Sequence, residues 1–229
     1  MTVSTTQNAP ALALDAVHLK LKSDAGEVHI LKDITLSLPA GRTVSITGPS
    51  GSGKTSLLMI ASGLEKPTSG TVSIAGKSLS GLDEDGLASF RRDNIGIVFQ
   101  NFHLIPTMTA LENVAIPLEF AGEKDAFHKA EEALKAVGLG ERIKHYPGQL
   151  SGGEQQRVAI ARATVTAPPV ILADEPTGNL DAETGEKVMN ILFGLTRDKG
   201  MTLILVTHDP QLAEKCDVRV QIRDGRIEA

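Results

Sequence analysis

The chain has no tryptophan, one tyrosine and one cysteine in 229 residues. None of its few aromatic residues precedes Phe90. A lone cysteine, Cys216, excludes an intrachain disulfide framework and suits a reducing cytosol. Basic excess is also missing. With 23 Lys and Arg against 28 Asp and Glu, the net charge is −5, and nothing in that balance favours nucleic acid. No apolar run approaches the ~20 residues that span a bilayer. Met1–Pro10 carries neither a basic region nor a long apolar segment, so it reads as a flexible lead-in and not as a secretory signal. There is no internal repeat and no low-complexity tract. The expectation is a soluble chain whose only link to a membrane runs through a partner.

Three short apolar runs each end in polar chemistry. Thr43–Thr47 leads into a glycine-rich loop, Val170–Ala173 into Asp174-Glu175, and Thr202–Thr207 into His208. Each reads as a buried parallel strand. The longer helical patterns between them give an α/β fold with a mostly parallel core sheet. In such sheets ligands sit beyond the carboxyl ends of the strands, where all three runs place their polar residues. Val28–Leu38 and Thr71–Ile74 read as antiparallel strands. From about Asp83 to Ala163 helix formers dominate, punctuated by Pro106, Pro117 and Pro147, and this reads as an inserted helical lobe.

Gly48-Pro49-Ser50-Gly51-Ser52-Gly53-Lys54-Thr55 has the form G-x-x-x-x-G-K-[ST] of a phosphate-binding loop. Backbone N–H groups around Gly51–Thr55 would cradle a β-phosphate. Lys54 would reach the β- and γ-phosphates, and the Thr55 hydroxyl would bind Mg²⁺. Ser56 opens the helix that follows. Asp174 suits direct or water-mediated coordination of Mg²⁺, and Glu175 suits a general base acting on the attacking water. Gln100 follows the run Ile95–Phe99, where the sheet hands over to the helical lobe, and could touch both Mg²⁺ and that water. His208 is placed to hydrogen-bond a γ-phosphate. In Leu150-Ser151-Gly152-Gly153-Glu154-Gln155-Gln156, Ser151 and Glu154 have the spacing of a capping box ahead of an apolar-periodic run. Ser151 should therefore start a helix. Its glycines would let an anion approach the positive end of the helix dipole.

Taken in order, the loop Gly48–Thr55, Gln100, Leu150–Gln156, Asp174-Glu175, Gly178-Asn179-Leu180-Asp181 and His208 resemble the ABC-type ATPase family over residues 12–229. The resemblance implies a P-loop NTPase of ABC type. It would have an antiparallel β subdomain, an inserted helical subdomain at about 83–163, and a RecA-like core at about 12–82 and 164–229. It implies ATP and Mg²⁺ as cofactors, with Thr55, Gln100 and Asp174 at the metal. It also implies a head-to-tail homodimer in which Ser151, Gly152, Gly153 and Glu154 of one chain face the nucleotide held by the other, with Asp181 at the seam.

The run Asp174–Asp181 and the stretch Phe99–Thr107 resemble the lipoprotein-release and macrolide-exporter branch, and within it the YbbA-type ATPases, which pair with a YbbP-type integral membrane permease (MacB- or LolC-like). That implies a peripheral subunit on the cytoplasmic face of the inner membrane, with no nucleic-acid partner. The work would be export, extraction of lipophilic molecules or mechanotransmission. A cell-division-type or other non-transport ABC ATPase bound to a membrane protein stays open. Phe102, Leu104, Ile105 and Met108 read either as helical-lobe core or as a cleft for a permease helix. One departure stands out. The family stacks an aromatic on adenine from an early strand, whereas Leu21 holds that position here, so weaker affinity and looser base selectivity are expected.

Overall fold

The computed structural model describes residues 9–23 and 26–228. In chain order the elements begin with β1 (Leu12–Ser23), β2 (Gly26–Leu38), β3 (Thr43–Thr47), α1 (Lys54–Ala61), β4 (Ser69–Ile74), β5 (Lys77–Ser78) and α2 (Glu84–Asn94). Then come β6 (Ile95–Phe99), α3 (Ala110–Phe120), α4 (Ala126–Ala136), α5 (Gly152–Thr164) and β7 (Val170–Asp174). The chain closes with α6 (Ala182–Asp198), β8 (Thr202–Val206), α7 (Pro210–Glu214), β9 (Val218–Arg223) and β10 (Arg226–Glu228).

The central sheet has the order β10-β9-β3-β8-β7-β6 and is parallel except for the β9–β10 hairpin. Its strands β3, β7 and β8 are buried on both faces, which explains why they read as near-continuous apolar runs. The two faces alternate with the strand period of two. Val44, Ile46, Leu172, Ile204 and Val206 point to a core shared with α1, α2 and the antiparallel sheet β2-β1-β4-β5. Ile171, Ala173, Leu203 and Leu205 point to a second core, shared with α3, α4, α5 and α6.

Two expected boundaries move. The helical lobe does not begin at residue 83. Leu87 and Phe90 of α2 pack into the first core, and β6 pairs with β7 inside the central sheet, Phe99 opposite Asp174. The insertion therefore starts after Phe99. The run Ile95–Phe99 is too apolar to leave the sheet, and it carries Gln100 to the strand-end edge. The domain, expected to start at residue 12, also takes in the residue before it. Ala11 is buried, donates to the Leu38 carbonyl and accepts from the Ala75 amide; residues 1–8 lie outside the described residues. Among the described residues no helix is long and apolar enough to cross a membrane.

Candidate nucleotide site

Strand order alone assembles the chemistry. The parallel strands β3, β8, β7 and β6 lie side by side, and each hands a functional segment to the same edge: Gly48–Thr55, His208, Asp174-Glu175 and Gln100. This is the crevice beyond the strand ends where α/β sheets bind ligands. A cavity of about 910 Å³ opens there, lined by Gly48, Ser50, Gly51, Gly53, Lys54, Thr55, Ser56, Glu175 and His208.

The loop is shaped for an anion. Gly53 is the N-cap of α1 with φ 100° and offers no capping side chain, so the start of the helix faces the cavity with its dipole uncompensated. Lys54 folds back, and its Nζ donates to the carbonyls of Gly48 and Pro49 at 2.9 Å each. The Ser52 hydroxyl is buried without a hydrogen-bond partner among the described residues, although it lies in a loop of backbone donors. A phosphate oxygen suits both Ser52 and the Lys54 cation.

The acidic side is equally marked. Burial pushes the Asp174 carboxyl above its ordinary value, opposed by the Thr55 hydroxyl and reinforced by the neighbouring Glu175. Thr55 Oγ1 stands 3.5 Å from Asp174 Oδ1. A half-buried carboxylate short of positive charge, with a hydroxyl beside it, is a hard-oxygen donor set that fits Mg²⁺. Among the described residues no group of three or more His, Cys, Asp and Glu could hold a metal ion unaided. Glu175 itself sits at φ 44°, with its amide donating to the Val206 carbonyl. Such backbone strain concentrates at functional sites. His208 Nδ1 lies 3.2 Å from Glu175 Oε2.

Ser151 does start α5. Its hydroxyl accepts from the Glu154 amide, and the Glu154 carboxylate accepts from the Ser151 amide, which holds Glu154 below the usual carboxylate range. Gly153 has a reason within its own chain: a Cβ there would collide with Thr184 Cγ2 of α6. No residue of α5 lines the phosphate cavity. Asp181 caps α6 by accepting from the Thr184 amide at 3.0 Å, a local role that sequence reading missed.

Other residues were also missed. Val28, His29, Ile30 and Lys32 of β2 and the Asp224-Gly225 turn complete the cavity wall. Asp224 and Gly225 take φ 48° and 75° in a two-residue hairpin, and the Asp-Gly pair was the available signal. The Gly225 amide donates to the Ser52 carbonyl, tying that turn to the phosphate loop. Leu21 is 43% exposed and stands opposite Val28 across β1–β2. Of the four apolar residues after Gln100, Leu104 packs on the second core, while Ile105 is exposed.

Fold and site together define a P-loop ATP-binding cassette. A family model described as ABC transporter matches residues 31–178. The uncharacterized ABC transporter ATP-binding protein YbbA of Escherichia coli K12 is 48% identical over 215 residues, covering 92% of this chain and 94% of that protein. The macrolide export ATP-binding/permease protein MacB of Shigella flexneri is 47% identical over 220 residues; these cover 95% of this chain but 34% of MacB, so the chain spans about a third of that relative's length. The dimeric structure of the cassette MJ0796 bound to ADP and phosphate superposes with a TM-score of 0.88 at 44% identity, covering 95% of this chain and 97% of that one. The chain belongs to the ABC transporter family and is an ATP-hydrolysing cassette of a membrane transporter.

Proposed function

We propose that the chain works as a pair against a separate integral membrane permease of the YbbP, MacB or LolC kind, from the cytoplasmic face of the membrane. ATP hydrolysis would drive export, extraction of lipophilic molecules or mechanical transmission. The observation that carries the paired arrangement is the place of α5: its capped, glycine-bearing start contributes nothing to the phosphate cavity of its own chain. The dimeric MJ0796 cassette supports the same reading.

In this arrangement Gly48–Ser56 hold the phosphates by backbone N–H groups, with Lys54 as the point charge. Thr55, Asp174 and Gln100 would hold Mg²⁺, which supplies charge neutralisation across the β- and γ-phosphates. Glu175 takes the proton of the attacking water, and His208 contacts both Glu175 and the γ-phosphate. Ser151, Gly152 and Gly153 of the second chain close on that phosphate, and release after hydrolysis opens the pair. Leu21 and Val28 offer the base an aliphatic surface in place of an aromatic ring.

Glu175→Gln tests the scheme. ATP binding should persist, turnover should fall by roughly 10²–10⁴, and size-exclusion with ATP should show a dimer. A variant that stays monomeric with ATP would sink the paired site.

A further inference from the structure

Neither Gln100 nor Asn179 lines the phosphate cavity, and among the described residues Asn179 is the one whose side chain hydrogen-bonds the Gln100 side chain. Asn179 Oδ1 accepts from Gln100 Nε2 at 3.2 Å. Asn179 Nδ2 donates to the Gln100 backbone carbonyl at 3.1 Å and to Asn101 Oδ1 at 2.8 Å. Every polar atom of the Asn179 amide is therefore spent on the segment Gln100-Asn101. The Gln100 nitrogen is the atom consumed, and its Oε1 has no hydrogen-bond partner among the described residues. A cation can be met by that oxygen and never by the nitrogen.

The residue before Asn179 completes the arrangement. A Cβ at Gly178 would lie 2.6 Å from Gln100 Nε2, 3.0 Å from Cδ and 3.3 Å from Cγ, and its three nearest neighbours all belong to the Gln100 side chain. Gly178 does not have a positive φ, so the backbone there would accept another residue. Its missing side chain is the slot in which the Gln100 carboxamide lies. The turn itself is anchored: the Gly178 amide donates to the Glu175 carbonyl and the Leu180 amide to the Thr177 carbonyl. The turn that carries the general base thus also carries the clamp on Gln100.

We infer that Asn179, with Gly178, is a positioning residue that fixes the flip of the Gln100 carboxamide and presents Oε1 to the Mg²⁺ that accompanies ATP. The inference rests on the assignment of Gln100 to the metal. Partners one shell out from a metal ligand act by orienting it, and their loss costs about 10- to 100-fold in metal affinity or activity.

The test uses the full chain. In Asn179→Ala and in Gly178→Ala, the Mg²⁺ concentration giving half of the ATP-dependent rise in thermal midpoint should increase about tenfold, and half-maximal turnover should shift with it. ATP affinity without Mg²⁺ should not change. Placed on Gln100→Ala, both substitutions should be silent, because nothing is left to orient. An unchanged Mg²⁺ requirement, or effects that add to Gln100→Ala, would overturn the inference. If Asn179→Ala folds poorly, Gly178→Ala carries the same comparison with one added methyl. The pairing is also read without nucleotide. The Gln100 side-chain amide protons should exchange with solvent more slowly in the unmodified chain than in Asn179→Ala, and equal rates would refute it. If ATP produces no thermal shift in the unmodified chain, the nucleotide-site reading fails, while the exchange comparison still decides the pairing.

Discussion

Asp174 occupies a position that favours ligand over stability. Its carboxyl is pushed up first by burial and then by Glu175, against the Thr55 hydroxyl and the Lys54 charge. A raised carboxyl value means the ionised form is disfavoured in the folded chain. Above the ordinary Asp value of about 4 the folded protein therefore carries a cost that the unfolded chain escapes, and the cost disappears as pH falls through that region. Asp174→Asn should raise the thermal midpoint of the nucleotide-free chain at neutral pH, with the gain fading toward about pH 4. The same variant should lose Mg²⁺-dependent turnover. A scanning-calorimetry pH series checks the first part, and a lower midpoint at neutral pH would contradict it. This is the trade expected where a site is built for a ligand and not for its own stability.

At the scale of elements, α5 is a rod of about 20 Å that touches the Gln100 segment at two points beyond its capped start. Gln156 Nε2 donates to the Phe99 carbonyl at 3.3 Å. Near the far end, Arg162 donates to the carbonyls of His103 at 2.7 Å and Phe102 at 2.9 Å. Both of those residues have positive φ, 48° and 58°. A guanidinium can hold two carbonyls in one fork, while a lysine presents a point charge without that geometry. Arg162→Ala should therefore cost about 2 kcal/mol and lower the thermal midpoint by several degrees. Turnover should fall with it, because the loop begins at Gln100. Arg162→Lys should recover less than half of the loss in calorimetry; full recovery would mean that charge alone suffices. This scale also shows what could be read in advance. The apolar runs ending in Gly48, Asp174 and His208, and the Ser-x-x-Glu start of α5, announce themselves because the chemistry follows directly along the chain. The start of the helical lobe is not legible near residue 83, because a five-residue apolar run flanked by helix formers does not reveal its neighbour; only pairing with β7 does. Arg162 and Asn179 act across 59 to 79 residues of chain, and the Asp224-Gly225 turn reaches back to Ser52, so no local pattern marks such contacts.

For the whole molecule, what matters is which chain completes which site. In the paired arrangement proposed above, a cavity lined by Gly48, Lys54, Thr55, Glu175 and His208, but by nothing from α5, is a half-site. If a second copy supplies Ser151–Gly153, damage to the two halves can be complemented between molecules. A Ser151→Arg chain keeps a working phosphate loop but cannot close on its partner's phosphate. A Lys54→Ala chain loses the loop but keeps the start of α5. Each alone should be inactive. In the mixed pair, one site combines the intact loop of the first chain with the intact α5 of the second, and the other site combines both defects. Random pairing of equal amounts makes half of all pairs mixed with one good site each, so turnover should return to as much as about a quarter of the unmodified level for independent sites in a symmetric pair. Activity should rise with total protein concentration, as pairing requires. A mixture as inactive as its components, at concentrations where Glu175→Gln dimerises with ATP, would place the complete site within one chain.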